Sequence, residues 1–306
     1  MLKSYAVVAV LALGACSSGS SSTSSSSGGS GGGAGIAGST LLGLPVDTSV
    51  AMQSHTASLD GTTGTVSVDT RQVFTFRSRE DFRNGEDFRR INYGKPRLSY
   101  HPTRNYTIPI TITTSGGQQV GTGTATFSGD DVEGSVASRT FTITDIELGD
   151  SIFGLFSTDD TGIAPRGDFF EIHAYNAGIA ATALPGMATY TGTFLADVIS
   201  DGGTGATRIE LPANLSVDFT GNLVTGTMGA TGTPDISLNG TVSGTDISGT
   251  ATVTSTAVTL ANGSVGAFAG GVYGAGASEI GGTLGISDTS GATNHEMVGA
   301  FGATKN

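Results

Sequence analysis

Forty-nine glycines are scattered through 306 residues without a three-residue period. Ordinary glycine usage is roughly 7 %, and each glycine weakens a helix interior by about 1 kcal/mol relative to alanine. A chain so rich in glycine is not built from long helices, and the missing period excludes a collagen triple helix. Strands that turn often and backbones that pass closely tolerate glycine. After residue 41 no amphipathic helix of three turns is legible, whereas period-two alternation recurs. Tyr106, Ile108, Ile110 and Ile112 face one way, with Thr107, Pro109, Thr111 and Thr113 between them, the pattern of a half-buried strand. Pro109 marks an edge or a bulge. Further strands are expected at Thr65–Phe76, Val120–Phe127, Ser138–Glu147, Ser151–Ser157 and Asp168–Tyr175. The chain is therefore expected to be all-β.

Residues 41–185 carry fourteen Phe or Tyr and residues 186–306 carry six, which places a boundary near Pro185. Between Ala188 and Thr304 eight strand-like segments follow one another: 188–198, 207–219, 222–230, 234–242, 245–254, 264–274, 279–287 and 295–303. Their connections are short and rich in Gly, Asn, Asp and Ser. Eight antiparallel strands in so few residues suit a small up-and-down barrel whose interior is filled by side chains or holds one small ligand. Closure would remove the exposed edges of a glycine-rich sheet. A β-sandwich is the main competing architecture.

The N-terminus speaks for the compartment. Lys3 precedes a short apolar run, Tyr5 to Leu13, too short to span about 30 Å of hydrocarbon as a mature helix. Leu13-Gly14-Ala15-Cys16 resembles the lipobox of bacterial lipoproteins, which implies cleavage after residue 15 and acylation of Cys16, the chain's single cysteine. Ser17 at the next position implies sorting to the outer membrane. Ser17 to Thr40 holds 11 Ser and 8 Gly in 24 residues, a flexible tether with a root-mean-square span of about 27 Å. Literal matches there to G-x-S-x-G and G-x-G-x-x-G neither follow a strand nor open a helix, as both mechanisms require. The expected organisation is a signal peptide at 1–15, lipidated cysteine and linker at 16–40, a smaller β-rich, handle-like domain at 41–185 and an eight-stranded barrel at 186–306.

Within that last segment, Gly270-Gly271-Val272-Tyr273-Gly274-Ala275-Gly276-Ala277-Ser278-Glu279-Ile280-Gly281-Gly282 resembles the hallmark G-x-F-Y-G-P-x-A-x-E-x-G-G of the transferrin-binding protein B-like β-barrel surface lipoproteins. Pro185-Gly186-Met187-Ala188-Thr189-Tyr190-Thr191-Gly192 resembles the opening of that barrel, and Val217-Asp218-Phe219 with Val224-Thr225-Gly226-Thr227 resembles its V-D-F…V-x-G-T hairpin. Ala275 stands where the family often has proline, and the chain has room for one lobe rather than two. In the hallmark itself, Tyr273-Gly274 is expected to end a strand, Gly281-Gly282 to let backbones approach closely, and Glu279 to accept hydrogen bonds from turn amides. The resemblance implies a cell-surface lipoprotein that captures a macromolecule, an iron or haem carrier among the candidates, for a separate TonB-dependent outer-membrane transporter.

Candidate chemistry is sparse. His55, His101, His173 and His295 show no metal-ligand spacing, and one cysteine excludes a multi-cysteine zinc site. Asp130-Asp131-Val132-Glu133 lacks the ligand order of a calcium loop. No cofactor, metal or catalytic residue is expected, and the chain does not read as an enzyme. The net charge of −12 argues against nucleic acid, but its distribution is uneven. Arg71 to Arg104 carries nine basic against four acidic residues, while residues 105–306 carry four basic against nineteen acidic.

Inside the basic stretch, Glu80-Asp81-Phe82-Arg83 is repeated as Glu86-Asp87-Phe88-Arg89 around Asn84-Gly85, a strong hairpin signal. That register would place Arg83 opposite Glu86 and Glu80 opposite Arg89, neutralising the ribbon. One reading is a surface hairpin with one phenylalanine tucked inward. The other is a basic, aromatic ribbon, Arg79, Phe82, Arg83, Phe88, Arg89 and Arg90, that contacts a protein or a haem-like anion. Three functions follow: partner capture at the outer membrane, a structural or adhesive lipoprotein without nutrient cargo, or a small-ligand carrier using the barrel interior.

Overall fold

The computed structural model describes residues 49–51, 53–60, 65–70, 74–78, 87–93, 105–115, 118–128, 138–163, 167–201, 206–230 and 232–306; before Thr113 the description is of the backbone alone. Every regular element among them is a strand. No helix among the described residues is long and apolar enough to cross a membrane. Cys16 and the tether lie outside the described residues.

Ten strands make one sheet: β1 (Ser49–Ala51), β2 (Gln53–Asp60), β3 (Thr65–Thr70), β4 (Phe74–Ser78), β5 (Asp87–Tyr93), β6 (Asn105–Ser115), β7 (Gln118–Ser128), β8 (Ser138–Glu147), β9 (Ser151–Ile163) and β10 (Gly167–Gly178). Their spatial order is β1-β4-β5-β6-β7-β8-β9-β10-β2-β3. β6 is the joint of this sheet. Its residues 105–110 pair with β5 and its residues 111–115 with β7. The strand thus passes from a four-stranded part to the rest, and Pro109 falls where β7 has not yet joined the ladder.

Two expectations need correction. The single strand Thr65–Phe76 is two strands, β3 and β4, which lie toward opposite ends of the sheet; the alternation runs on across 71–73 although the chain changes partner there. The hairpin over the basic stretch forms between β4 and β5, but its register is shifted by two residues. Arg89 stands opposite Ser78 rather than Glu80, and Arg90 opposite Arg77. The neighbouring strand β6 also pairs with β5, and a local charge pattern does not outweigh that ladder.

The second sheet is a closed barrel: β11 (Met187–Ser200), β12 (Thr207–Asp218), β13 (Leu223–Ala230), β14 (Thr233–Ser243), β15 (Asp246–Val253), β16 (Val265–Tyr273), β17 (Glu279–Asp288) and β18 (His295–Lys305). Each strand is antiparallel to its neighbours, and eleven registered pairs from Tyr190↔Lys305 to Ser200↔His295 join β18 to β11. That pairing excludes the sandwich. Alternate residues fill the interior, among them Tyr190, Phe194, Met228, Phe268, Leu284 and Phe301. Phe268 and Phe301 meet edge to face at 6.4 Å, a favoured aromatic geometry. One end is plugged by the loop between β15 and β16, whose Val258 and Leu260 are buried in the barrel core. Thr259 between them has φ 71°, a strained conformation for a β-branched residue, and it turns both neighbours inward.

β12 and β15 alternate between buried and solvent-facing residues, whereas β17 and β18 are buried on both faces, because the first sheet lies across their outer side. Ile146, Phe153, Leu155, Ile172 and Ala174 of the sheet pack there against Leu195, Ile199, Val298 and Ala300 of the barrel. Each large apolar side chain so buried contributes roughly 1.5–3 kcal/mol. The approach is close. A Cβ on Gly302 would lie 2.3 Å from the Phe153 ring, and one on Gly178 would lie 2.5 Å from the Tyr273 ring.

The polar contacts of this seam come from the hallmark segment. Glu279, 5 % exposed, accepts hydrogen bonds through Oε1 from Gly149 N (2.7 Å) and Asp150 N (2.9 Å). Through Oε2 it accepts from Asp150 N (3.0 Å) and Ser151 Oγ (2.6 Å). Ser278 Oγ donates to Asp150 Oδ2 (3.3 Å), and Tyr273 OH donates to Asn176 Oδ1. Gly274 N donates to Ile179 O (2.9 Å). The glutamate does receive turn amides, but they belong to the β8–β9 turn of the other sheet.

Candidate functional site

Barrel scaffolds vary in their loops, and the plugged end has the chemistry to offer. β17 and β18 deliver Asp288 and His295 there as a cross-strand pair. Asp288 Oδ2 accepts from Ala261 N (2.6 Å) of the plug, and its Oδ1 accepts from Ser290 N (3.0 Å) and Ser290 Oγ (2.6 Å). One carboxylate therefore ties the β15–β16 loop to the β17–β18 loop. The Ser290 hydroxyl first, then the amides of Ala261 and Ser290, hold its pKa down at about 2, since hydrogen bonds to the charged form favour it. Asp201 fixes the third connection by accepting from Asn294 N (3.3 Å) and Asn294 Nδ2 (2.6 Å).

Beside the plug lies an open cleft of about 380 Å³, walled by Thr256, Thr259, Ser290, Thr293, Asp288 and His295. Ser200 Oγ sits 2.6 Å from His295 Nδ1, a serine–histidine contact that sequence spacing did not reveal, because 95 residues separate the two. It does not make a hydrolytic triad. The Asp288 oxygens accept from Ala261 and Ser290, and Ser200 is a strand residue rather than the strained elbow that exposes a nucleophile. Glu296, next along β18, is 5 % exposed and its Oε2 has no hydrogen-bond partner. Burial pushes its pKa up, with Asp201 and Asp288 adding to the rise and the Ser287 hydroxyl opposing it. Among the described residues, no three His, Cys, Asp or Glu side chains gather as metal ligands.

The residues singled out for partner contact lie elsewhere. Arg79, Phe82 and Arg83 fall outside the described residues. Phe88, Arg89 and Arg90 are on β5, where Phe88 stands opposite Pro109, Arg89 between Ser78 and Ile108, and Arg90 between Arg77 and Thr107.

Comparison with known proteins places the barrel. Residues 184–305 match the family described as the C-lobe and N-lobe beta barrels of Tf-binding protein B. Among solved structures, a double mutant of the vaccine antigen transferrin-binding protein B from Haemophilus parasuis shares 17 % identity over 83 % of this chain, with a TM-score of 0.47. This chain spans 45 % of that protein. The isotype 1 transferrin-binding protein B from serogroup B Neisseria meningitidis shares 13 % identity, with 85 % of this chain and 77 % of that chain covered and a TM-score of 0.39. A structure described as a surface lipoprotein shares 14 % identity, with 83 % of this chain and 98 % of that chain covered and a TM-score of 0.40. A search of curated protein sequences gave no match. The closed barrel of β11 to β18, hallmark segment included, thus coincides with the stretch that resembles the barrels of Tf-binding protein B.

Proposed function

We propose that this protein is a non-enzymatic lipoprotein, anchored in the outer membrane through Cys16 and exposed at the cell surface of a Gram-negative bacterium. There it captures a protein partner, an iron or haem carrier being the foremost candidate. Once the signal peptide (1–15) is cleaved, the anchor and tether (16–40) would join the membrane to the sheet domain (41–185) and barrel (186–306), and a TonB-dependent transporter would receive the cargo. The match of residues 184–305 to the barrels of Tf-binding protein B carries this reading. The filled interior supports it, because Tyr190, Phe194, Phe268 and Phe301 occupy the space a lumen-bound small ligand would need.

The basic strand pair gives the capture surface a sign. The register sets Arg77 opposite Arg90, two positive residues at facing positions that suit an anionic group on the partner. Arginine is a frequent interface anchor.

The test is capture by the soluble 41–306 fragment of haem, haemoglobin, transferrin and components of the cell's own envelope extract. A variant with Arg79, Arg83, Arg89 and Arg90 changed to serine is run beside it. Saturable capture by the parent and its loss in the variant, about tenfold or more in Kd for several anchoring residues, is the expected result. Capture that survives moves the site to the loops of the barrel end. No capture at all favours a structural or adhesive lipoprotein.

A further inference from the structure

The hallmark segment offers something other than a binding face. Three of its polar side chains turn toward the first sheet: Tyr273 to Asn176, Ser278 to Asp150, and Glu279 to Gly149, Asp150 and Ser151. Gly281 leaves the space beside Asn176, where a Cβ would sit 2.5 Å from Nδ2. Its inward residues, Val272 and Ile280, belong to the barrel core. The two faces of the motif thus serve two bodies.

We propose that the hallmark is a latch whose function is to fix the ten-stranded sheet on the barrel, with the Glu279 carboxylate as its central positioning group. Three observations converge. First, Glu279 is buried and, among the described residues, accepts hydrogen bonds only from donors of the other sheet, 128 to 130 residues away in sequence. A buried carboxylate is costly unless fully hydrogen-bonded, so the β8–β9 turn and the glutamate each need the other in place. Second, Asn176 receives the Tyr273 hydroxyl and donates its own Nδ2 to Ile152 O (3.1 Å), which carries the contact into the ladder between β9 and β10. Third, the apolar seam of Phe153, Leu155 and Ile172 begins beside these bonds, so the polar latch registers the faces that the apolar contacts then hold. The hold of the sheet on the barrel therefore depends on this segment. This inference stands whether or not the partner-capture reading does.

Native-state amide hydrogen exchange on the full chain tests the latch. In Glu279→Ala the amides of Gly149 and Asp150 lose their acceptor. A latch predicts exchange about ten- to a hundredfold faster there and also along β9 and β10, while β12 to β15 keep their protection. Tyr273→Phe, which removes the other end of the latch, should give the same pattern at smaller amplitude, and Glu279→Gln, retaining one acceptor oxygen, should fall between parent and alanine variant. Two results overturn the proposal. Acceleration confined to Gly149 and Asp150 would make Glu279 a local cap. Acceleration that spreads equally through β12 to β15 would make the segment a part of the barrel's own fold.

Discussion

The two sheets of this protein solve the same problem differently. The barrel joins each strand to the next in sequence and then closes β18 onto β11; the first sheet places β2 and β3 beyond β10 and β1 beside β4. In the barrel a register slip at one hairpin would have to propagate around the ring, so closure fixes every register at once. In the open sheet only neighbours constrain one another, and edges remain at β1 and β3. What holds the open sheet is its contact with the closed one, where Phe153, Leu155 and Ile172 are buried. Barrel stability should thus be intrinsic and sheet stability borrowed in part from the seam.

The largest expected effect breaks the lender. Phe301→Ala removes an aromatic from the barrel core and should cost about 3–5 kcal/mol, seen in urea denaturation as loss of both sheets in one transition. A sheet that survives barrel unfolding would refute the dependence. Gly302→Val acts on the seam alone. Its Cβ would meet the Phe153 ring, an overpacking worth about 1–3 kcal/mol, and exchange should accelerate in β9 and β10 before β13 and β14.

Acid titration sharpens the comparison further, because two carboxyls at one end of the barrel shift in opposite directions. The Ser290 hydroxyl, with the Ala261 and Ser290 amides, holds the Asp288 pKa down at about 2 against a usual 3.8. Its contribution to stability is complete above the usual value and is lost as pH falls from about 4 to 2. Glu296 is raised above its usual 4.5. The folded state holds that proton more tightly, so its contribution is complete below 4.5 and is lost as pH rises through the raised folded value. Urea midpoints measured across pH should rise from pH 2 to 4 and then sag. Asp288→Asn removes the first limb, and Glu296→Gln removes the second while raising stability at pH 7 by about 1 kcal/mol. The smallest effect is at Thr259, where glycine relieves the positive φ; a gain of about 1 kcal/mol is expected in the same denaturation assay.

Legibility in the sequence follows the same division. All eight barrel strands were readable because each hairpin is local and its turn residues, such as Gly221-Asn222, flank alternating runs. β8 was readable over its whole length for the same reason. β2 was not, because Gln53-Ser54-His55-Thr56-Ala57-Ser58-Leu59-Asp60 has little apolar alternation and owes its place to β10, which pairs with it over eight residues. Glu279 was legible as an acceptor of turn amides, but not whose amides, since nothing local points to Gly149. Ser200 and His295 meet only because the ring closes. The register of β4 on β5 went astray because matching charges around Asn84-Gly85 predicted a pairing that β6 does not allow.

The order of the first two strands has a mechanical consequence. A load applied from the N-terminal side would enter the domain through β1, an edge strand held to β4 by three registered pairs. Such a strand peels open one bond at a time. The next strand, β2, is clamped between eight pairs to β10 and six to β3, and β10 rests on the barrel through Ile172 and Ala174. Such a load would therefore spend itself first on a short sacrificial zipper, while β2 passes the remaining force to the most cohesive part of the molecule.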